Sequence, residues 1–438
     1  MQKSFIVSIP KVIEKVFVVI LLLFLSGAII VLLNESGENP ISKVISVIVQ
    51  LGISFPVIVW CKKIVGTAIR EKLLWVFIAF VLVSSFWSAL PATTIRSSIL
   101  LVQITLFGVY LATRYSLKEQ LQLLAWTFGI GALLSIVVTL VLPSYGVMGM
   151  GSTLNAQAIA HVGAWRGIYV HKNILGRIMA LGALVFLIFA TSSYRQRWVG
   201  WAGFGLSVSL IVLSTSKTAL VVLLAIIALI PLYRALRWNY TIALPFFITV
   251  ILLSSSASVL LVENAESIAS TLGRDLTFTG RTHLWAAIIH KIQESPWLGY
   301  GYDVFWRAGW DGDAADVWSM VRHQAPHAHN GFLELALDTG LLGISVFVLC
   351  FLKACLQAIK YVRITNSSEG LFPIAFLTLL IMVNLTETTL LRIPVFWVIY
   401  VTVTLSMSKS MVFGDSVGSR KSNKAQRVNL TKRYQVKH

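Results

Sequence analysis

Three histidines, His323, His327 and His329, stand within seven residues in the stretch "HQAPHAHNGFLELALDTGLLG", directly before an apolar run. The whole chain has eight histidines, so this clustering asks for a chemical use. A neutral imidazole, with an ordinary pKa of about 6.5, takes a proton from a hydroxyl nucleophile at external pH. Zinc binding is the rival use. An H-x3-H-x-H run with no cysteine and an Ala-Pro spacer is a poor match to zinc-ligand spacing, so the reading is general-base chemistry with no metal. Asn330 is placed to cap the helix that follows, with Glu334 near its first turn. A helix start is also where a phosphate is attracted.

Two further stretches carry cations that suit such an anion. "GAWRGIYVHKNILGR" brings Arg166, His171, Lys172 and Arg177 together, and guanidinium forks bind phosphate oxygens bidentately. Interfacial anchoring by Trp165, Tyr169 and the cations is the plainer alternative. In "TGRTHLWAAIIHKIQESPW", a helix is expected over about 281–293, capped by Thr279 or Thr282 and stopped at Ser295-Pro296. Leu284, Trp285, Ile288, Ile289 and Ile292 recur at three- and four-residue spacing, so one face packs or rests on the membrane. Arg281 opens that helix, where a cation opposes the dipole, and this suggests anion binding. His283 and His290 read as ordinary interfacial residues. "DGDAAD", with Asp311, Asp313 and Asp316, has the spacing of a divalent-cation loop but no closing glutamate; a solvated loop is the preferred reading.

These residues must be carried by membrane helices. The chain is 57% hydrophobic and 12% charged, with a mean hydropathy of +0.80, against roughly 45–50% and about 25% for a soluble domain. A hydrocarbon core of about 30 Å takes roughly 20 apolar residues per helix. On that measure twelve spans are expected, near 12–33, 42–60, 73–90, 95–112, 121–141, 174–191, 198–213, 218–233, 240–262, 331–359, 371–386 and 390–408. The first reads as an uncleaved span, because its apolar run is too long for a signal peptide. With the N-terminus inside, the cytoplasmic segments hold 24 of 36 Lys and Arg but 5 of 18 acidic residues. Every internal connection assigned to the cytoplasm is basic, as the positive-inside rule requires.

The fold class is therefore an all-α polytopic membrane protein with both termini cytoplasmic. Its expected parts are helices 1–5 in 1–141, a first external loop at 142–173, helices 6–9 in 174–262, a large external loop at 263–330, helices 10–12 in 331–408 and a basic tail at 409–438. The net charge of +18 sits in the cytoplasmic loops and that tail, where it meets anionic lipid headgroups, and no nucleic-acid-binding module is present. The three cysteines, Cys61, Cys350 and Cys355, lie at or inside apolar segments and form no disulfide framework. Seven of the eight histidines fall in the two external loops. A transporter of glycan or lipid, the alternative outside catalysis, would place ionisable groups mid-span; Lys217, Glu387 and Arg392 instead sit near expected span ends.

"GRTHLW…SPWLGYGYDVFW…HAHNGFLELALDTGLLG" resembles the core of the O-antigen ligase and polysaccharide polymerase family, most of all its exopolysaccharide-polymerase branch. The specific part is His-Asn-x-x-Leu-Glu/Gln-x-x-x-Glu/Asp-x-Gly-Leu-x-Gly, closing a long external loop; "GIYVHKNILGR" matches the segment opening the conserved half. The likeness covers roughly residues 155–345. It implies a GT-C-like inner-membrane glycosyltransferase with its long periplasmic loop between helices 9 and 10. Such enzymes use neither metal nor cofactor, and move a glycan from undecaprenyl pyrophosphate to an acceptor glycan on the outer face. A polymerase extending a lipid-linked chain is the first reading, and a ligase moving glycan to lipid A-core or another acceptor the second. Membrane lipids, a flippase and a chain-length regulator are the implied partners. The resemblance maps the base onto His329, with His327, His323, Asn330 and Glu334 in support. It maps pyrophosphate binding onto Arg281 and Arg166, and Lys172 and Arg177 join them by position. The family's polymerases carry Arg-x10-Gly repeats, and neither Arg166 nor Arg281 has glycine at that spacing.

Overall fold

The computed structural model describes residues 11–28, 40–150, 161–192, 196–246, 248–249 and 281–409. The ninth expected span beyond 249, the start of the large external loop and the tail from 410 lie outside the described residues. Among those described, the regular structure is helical: α1 (Lys11–Leu25), α2 (Pro40–Val59), α3 (Cys61–Ala68), α4 (Lys72–Val83), α5 (Pro91–Arg114), α6 (Leu117–Val141), α7 (Lys172–Ser192), α8 (Arg197–Leu213), α9 (Lys217–Ala235), α10 (Arg281–Glu294), α11 (Ala314–Val321), α12 (Gly331–Ile364), α13 (Phe372–Asn384) and a last helix, α14, at 394–409.

Local chemistry sets these bounds. Pro91 stands in the first turn of α5, where its missing N–H costs nothing. Ser116 and Glu119 form a reciprocal capping box that opens α6. Large apolar side chains on the outer faces, such as Ile48, Leu51 and Ile58 of α2 and Leu133, Val137 and Leu140 of α6, are exposed. Such surfaces are stable only in lipid, which also obliges every backbone group to bond within its own helix. The protein is a multi-pass membrane protein.

α5, α6, α7, α9 and α12 are each long and apolar enough to cross a bilayer, and α2 with α3 adds a sixth if that pair, bent by 86°, counts as one span. Other expected spans take the form of shorter helices, among them α4, α8 and α13. At 1.5 Å per residue, helices of 12–17 residues reach about 18–26 Å, short of the hydrocarbon core. α14 is the inner helix of the bundle. Val395, Phe396, Trp397, Val398, Tyr400 and Val401 are all buried, as befits a helix apolar on every side. Trp397 Nε1 donates to Thr105 Oγ1 (2.8 Å), and Gly108 of α5 leaves no room for a Cβ against Val401.

The two ends of α5 separate the polar chemistry. At its C-terminal end Arg114 pairs with Glu14 (2.7 Å), and Thr113 reaches Thr67 (3.0 Å). At its N-terminal end Thr94 donates to Tyr302 O (3.2 Å) and Ser97 to Asp303 Oδ2 (2.7 Å). Residues expected inside and outside thus meet opposite ends of one helix.

α12 is not continuous. Gly340 leaves helical geometry (φ 61°, ψ −168°), and the strap Pro296–Gly301 fills the break. Leu341 N donates to Pro296 O (2.7 Å), Leu342 N to Trp297 O (3.2 Å), Tyr300 N to Leu337 O (2.8 Å) and Gly301 N to Asp338 O (3.1 Å). These bonds satisfy the groups that the break would orphan. Beyond the strap, Leu284 and Ile288 of α10 pack with Phe305, Val317, Trp318, Ala325, Ala328 and Leu337 into a second, smaller core. The apolar face of α10 therefore covers the interior of the connection that leads into α12, while Ile289 stays exposed.

Candidate active site

The turn between α13 and α14 gathers the chemistry. Asn384 Oδ1 accepts the N–H groups of Thr389 (3.0 Å) and Leu390 (2.9 Å), folding the chain around Glu387. The Glu387 carboxylate is buried and faces three distant parts of the sequence. Its Oε1 accepts from Arg281 Nη2 and from Asn173 Nδ2, both at 3.0 Å. Its Oε2 lies 3.8 Å from Arg177 Nη2 and 3.9 Å from His329 Nδ1. Burial alone raises a carboxyl, but the facing His329 and the charges of Arg177 and Arg281 outweigh it and hold Glu387 down to about 2.

Both guanidiniums also hold this turn. Arg281 Nη1 donates to Thr386 O. Arg177, itself buried, donates from Nη1 to Thr388 O (3.0 Å) and Thr389 Oγ1 (2.7 Å) and from Nε to Asn173 O (3.1 Å).

His329 has a left-handed backbone, φ 48°, which a side chain beyond glycine adopts only when its surroundings impose it. The imposition is visible. Ala328 N donates to Glu334 Oε2 (2.8 Å), and Ala328 O accepts from Trp285 Nε1 (3.0 Å). Directly after it, Asn330 Oδ1 caps α12 by accepting from Phe332 N (2.9 Å) and Leu333 N (3.1 Å). Gly331 then presses on Asn384, where a Cβ would meet Oδ1 at 2.0 Å.

The ring roles follow from backbone donors. His329 N donates to His327 Nδ1 and Asn173 N to His171 Nδ1, each at 3.2 Å. In both rings Nδ1 accepts, so the neutral imidazole carries its proton on Nε2. Burial, then the neighbouring His329, hold His327 down to about 3; burial, then His161, hold His171 down to about 4, although Glu387 pulls both upward. These two rings are neutral donors. His329 differs: its Nδ1 is enclosed facing Glu387 without a hydrogen-bond partner among the described residues, while 29% of its side chain is exposed. A proton on Nδ1 directed at the carboxylate leaves the Nε2 lone pair for a hydroxyl proton.

A second ionic hub lies beside the first. Arg392 pairs with Glu334 Oε1 (2.7 Å), Asp338 Oδ2 (2.9 Å) and Asp303. Trp306 Nε1 adds a donor to Glu334 Oε2 (3.2 Å). Glu334 thus joins the Arg392 hub to the amide preceding His329.

The structure therefore brings His329, His327, Asn330, Glu334, Arg281 and Arg177 together through the 385–393 turn. Lys172 stands at the start of α7 and donates to Thr215 Oγ1 (3.0 Å). Arg166 donates to Tyr145 O (2.6 Å) and Ser144 O (3.4 Å), within the connection between α6 and α7. His323 is exposed, with its ring against Val321 O (3.1 Å). Asp313 and Asp316 turn towards Lys291, which Glu294 also meets at 2.8 Å. Sequence reasoning gave no role to Glu387, Arg392, Asn173, Asp303 or Asp338. The available signal was the charged pair in "NLTETTLLRIP", since an ionisable residue between apolar segments is a functional candidate by default.

A profile for O-antigen ligase matches residues 202–348. The exopolysaccharide production protein ExoQ of Rhizobium meliloti (strain 1021) is 25% identical over 330 residues, covering 72% of each chain. Proteins of Rickettsia typhi and Rickettsia prowazekii, whose names carry the words polysaccharide ligase, are each 32% identical over 89 residues, 20% of this chain and 22% of theirs. Residues 202–348 thus resemble an O-antigen ligase domain, and the family resemblance of the chain's motifs holds.

Proposed function

We propose that this protein is a membrane glycosyltransferase that polymerises polysaccharide. In this reading it moves glycan repeat units from a polyprenyl pyrophosphate carrier to a growing chain, at the outer face of the inner membrane. The observation that carries the proposal is the approach of His329 Nδ1 to Glu387 within a group of arginines, at the N-terminus of α12. The match to an O-antigen ligase domain and the partial likeness to an exopolysaccharide production protein support it.

The acceptor hydroxyl gives its proton to His329 Nε2 as its oxygen attacks the anomeric carbon. The bond from that carbon to the pyrophosphate oxygen breaks, and the electron pair leaves with the carrier. Glu387 faces the imidazolium that forms, as in acid–histidine pairs of hydrolases. Arg281, whose side chain is 21% exposed, meets the growing charge; preorganised donors in a partly dry site are effective there. Arg177 and Arg166 act from behind, fixing the walls of the site, and Lys172 stands at its rim. His327 Nε2 and His171 Nε2 donate to sugar hydroxyls, and His323 touches the glycan farther out. In this topology 142–173 and 263–330 are periplasmic and 409–438 lies on the cytoplasmic leaflet, in twelve spans of GT-C type. A flippase and a chain-length regulator supply and limit the chain.

The ligase reading keeps the same site and changes the acceptor; the names of the Rickettsia relatives favour it. Purified protein given one lipid-linked oligosaccharide separates the two. A ladder of longer chains, abolished in His329→Gln, supports the polymerase. Turnover only with an added second acceptor supports the ligase. No transfer in either case would sink the enzyme reading.

A further inference from the structure

We infer that Trp310 is a docking platform for a glycan chain, at the open end of a row of indoles that starts beside His329. The inference rests on the glycosyltransferase reading for the identity of the occupant. Trp310 is 59% exposed, although Trp318 supports it edge-to-face with ring centroids 5.2 Å apart. Trp318 is buried and donates from Nε1 to Ala325 O (2.9 Å), and Trp306 stacks on it at 6.5 Å. Trp306 Nε1 in turn donates to Glu334 Oε2 (3.2 Å), the oxygen that also accepts from Ala328 N. Three indoles thus run from the amide before His329 to an open surface. Lys291 steadies the far end: its Nζ lies 2.5 Å from Asp316 and 3.7 Å from Asp313, tying the start of α11 to α10.

Lipid is met elsewhere. Phe86, Trp297, Leu341 and Leu342 are exposed around the strap, where Trp87 Nε1 donates to Leu298 O (3.1 Å) and Leu342 N to Trp297 O (3.2 Å). Such an aromatic and apolar belt marks a membrane interface. Glu334 stands six residues before Gly340, about 9 Å farther along the helix at 1.5 Å per residue, and Trp306 meets it at that height. The residues after Trp310 are also wrong for lipid. Asp311 and Asp313 are both exposed, and carboxylates repel anionic headgroups. A water-facing indole followed by acids suits a sugar. The C–H face of a pyranose is slightly positive and stacks on the negative π face, while carboxylates accept from its hydroxyls. A stacked ring fixes no hydrogen-bond register, so a chain can slide across it as units are added.

The test uses full-length His329→Gln protein in nanodiscs, which is expected to hold glycan without transferring it. The probe is a carrier-free oligosaccharide several repeat units long, cut from the exopolysaccharide of the producing cells, and binding is read by calorimetry. Adding Trp310→Ala should weaken binding about tenfold, the size of one aromatic contact. Trp310→Tyr should restore most of it, which separates stacking from fold. Trp126→Ala, which removes an exposed ring from α6, should change nothing. Binding by Trp310→Ala within twofold of its parent, or no binding by the parent, overturns the platform. Indole fluorescence in discs of brominated phospholipid tests the other occupant. Quenching that disappears in Trp310→Phe would put the ring in the bilayer and overturn the glycan assignment. Trp310-dependent glycan binding by a protein that, with His329 intact, transfers nothing would sink the enzyme reading and leave the platform standing.

Discussion

His329 Nδ1 and Glu387 Oε2 stand 3.9 Å apart across two different connections of the bundle. The distance is that of an ion pair without a direct hydrogen bond, and it closes readily when a proton and a substrate arrive, as catalytic contacts do on forming the working complex. Glu387 is in this view a positioning residue for His329.

Glu387→Gln is expected to lower kcat about a hundredfold, within the range for groups that orient a catalytic imidazole. The distinguishing readout is the pH–rate profile, whose acid limb should be displaced in the variant. A profile of unchanged shape, with the rate loss explained by unfolded protein, would reduce Glu387 to a structural tie for Arg177 and Arg281.

Acid should loosen the fold before it reaches the ordinary carboxylate range. His171 and His327 are held down to about 4 and about 3, below the usual histidine value of about 6.5. Between those values the unfolded chain binds more protons than the folded one, so stability falls as pH falls. Glu387, held down to about 2, extends the same trend from its usual range downward. The midpoint of thermal unfolding in detergent should drop steadily from pH 6.5 to 4. The double variant His171→Gln with His327→Gln should flatten that slope, and an equally steep slope would count against neutral burial of these rings.

Trp285 fixes the peptide before His329 through Ala328 O (3.0 Å). Trp285→Phe keeps the ring and removes the donor, and should cost about 1 kcal/mol of stability. Because His329 is held in a left-handed conformation, the larger effect should fall on rate: about tenfold in kcat, for a geometric shift of the base, with KM nearly unchanged. A KM increase at constant kcat would place Trp285 in substrate binding instead.

The parts legible in the sequence are those set by local pattern. α10 was expected at 281–293 and spans Arg281–Glu294; the tenth span was expected to start at 331, where Asn330 caps α12. Apolar periodicity, proline stops and N-caps act over a few residues, so they read directly. Gly340 was not legible as a break, because a single glycine inside an apolar run looks like any tolerated helical glycine. Only the strap Pro296–Gly301, some forty residues earlier, supplies the bonds that make the break stable. Glu387 and Arg392 read as span ends for the same reason: their partners at 173–177, 281, 303 and 329–338 are brought by tertiary packing alone.

The position of α14 carries a consequence for biogenesis. It is the last of the described helices to be synthesised, yet Trp397 bonds to Thr105, Thr402 to Gly108 O (3.2 Å), and Ser406 to Gln120 (2.9 Å). Until α14 is inserted, α5 and α6 must wait in the membrane with these polar groups turned to an open groove, where lipid cannot bond them. Insertion of the bundle is thus a matter of timing. The groove stays open until α14 enters the membrane, and the 385–393 turn that organises Glu387 takes its final shape only then.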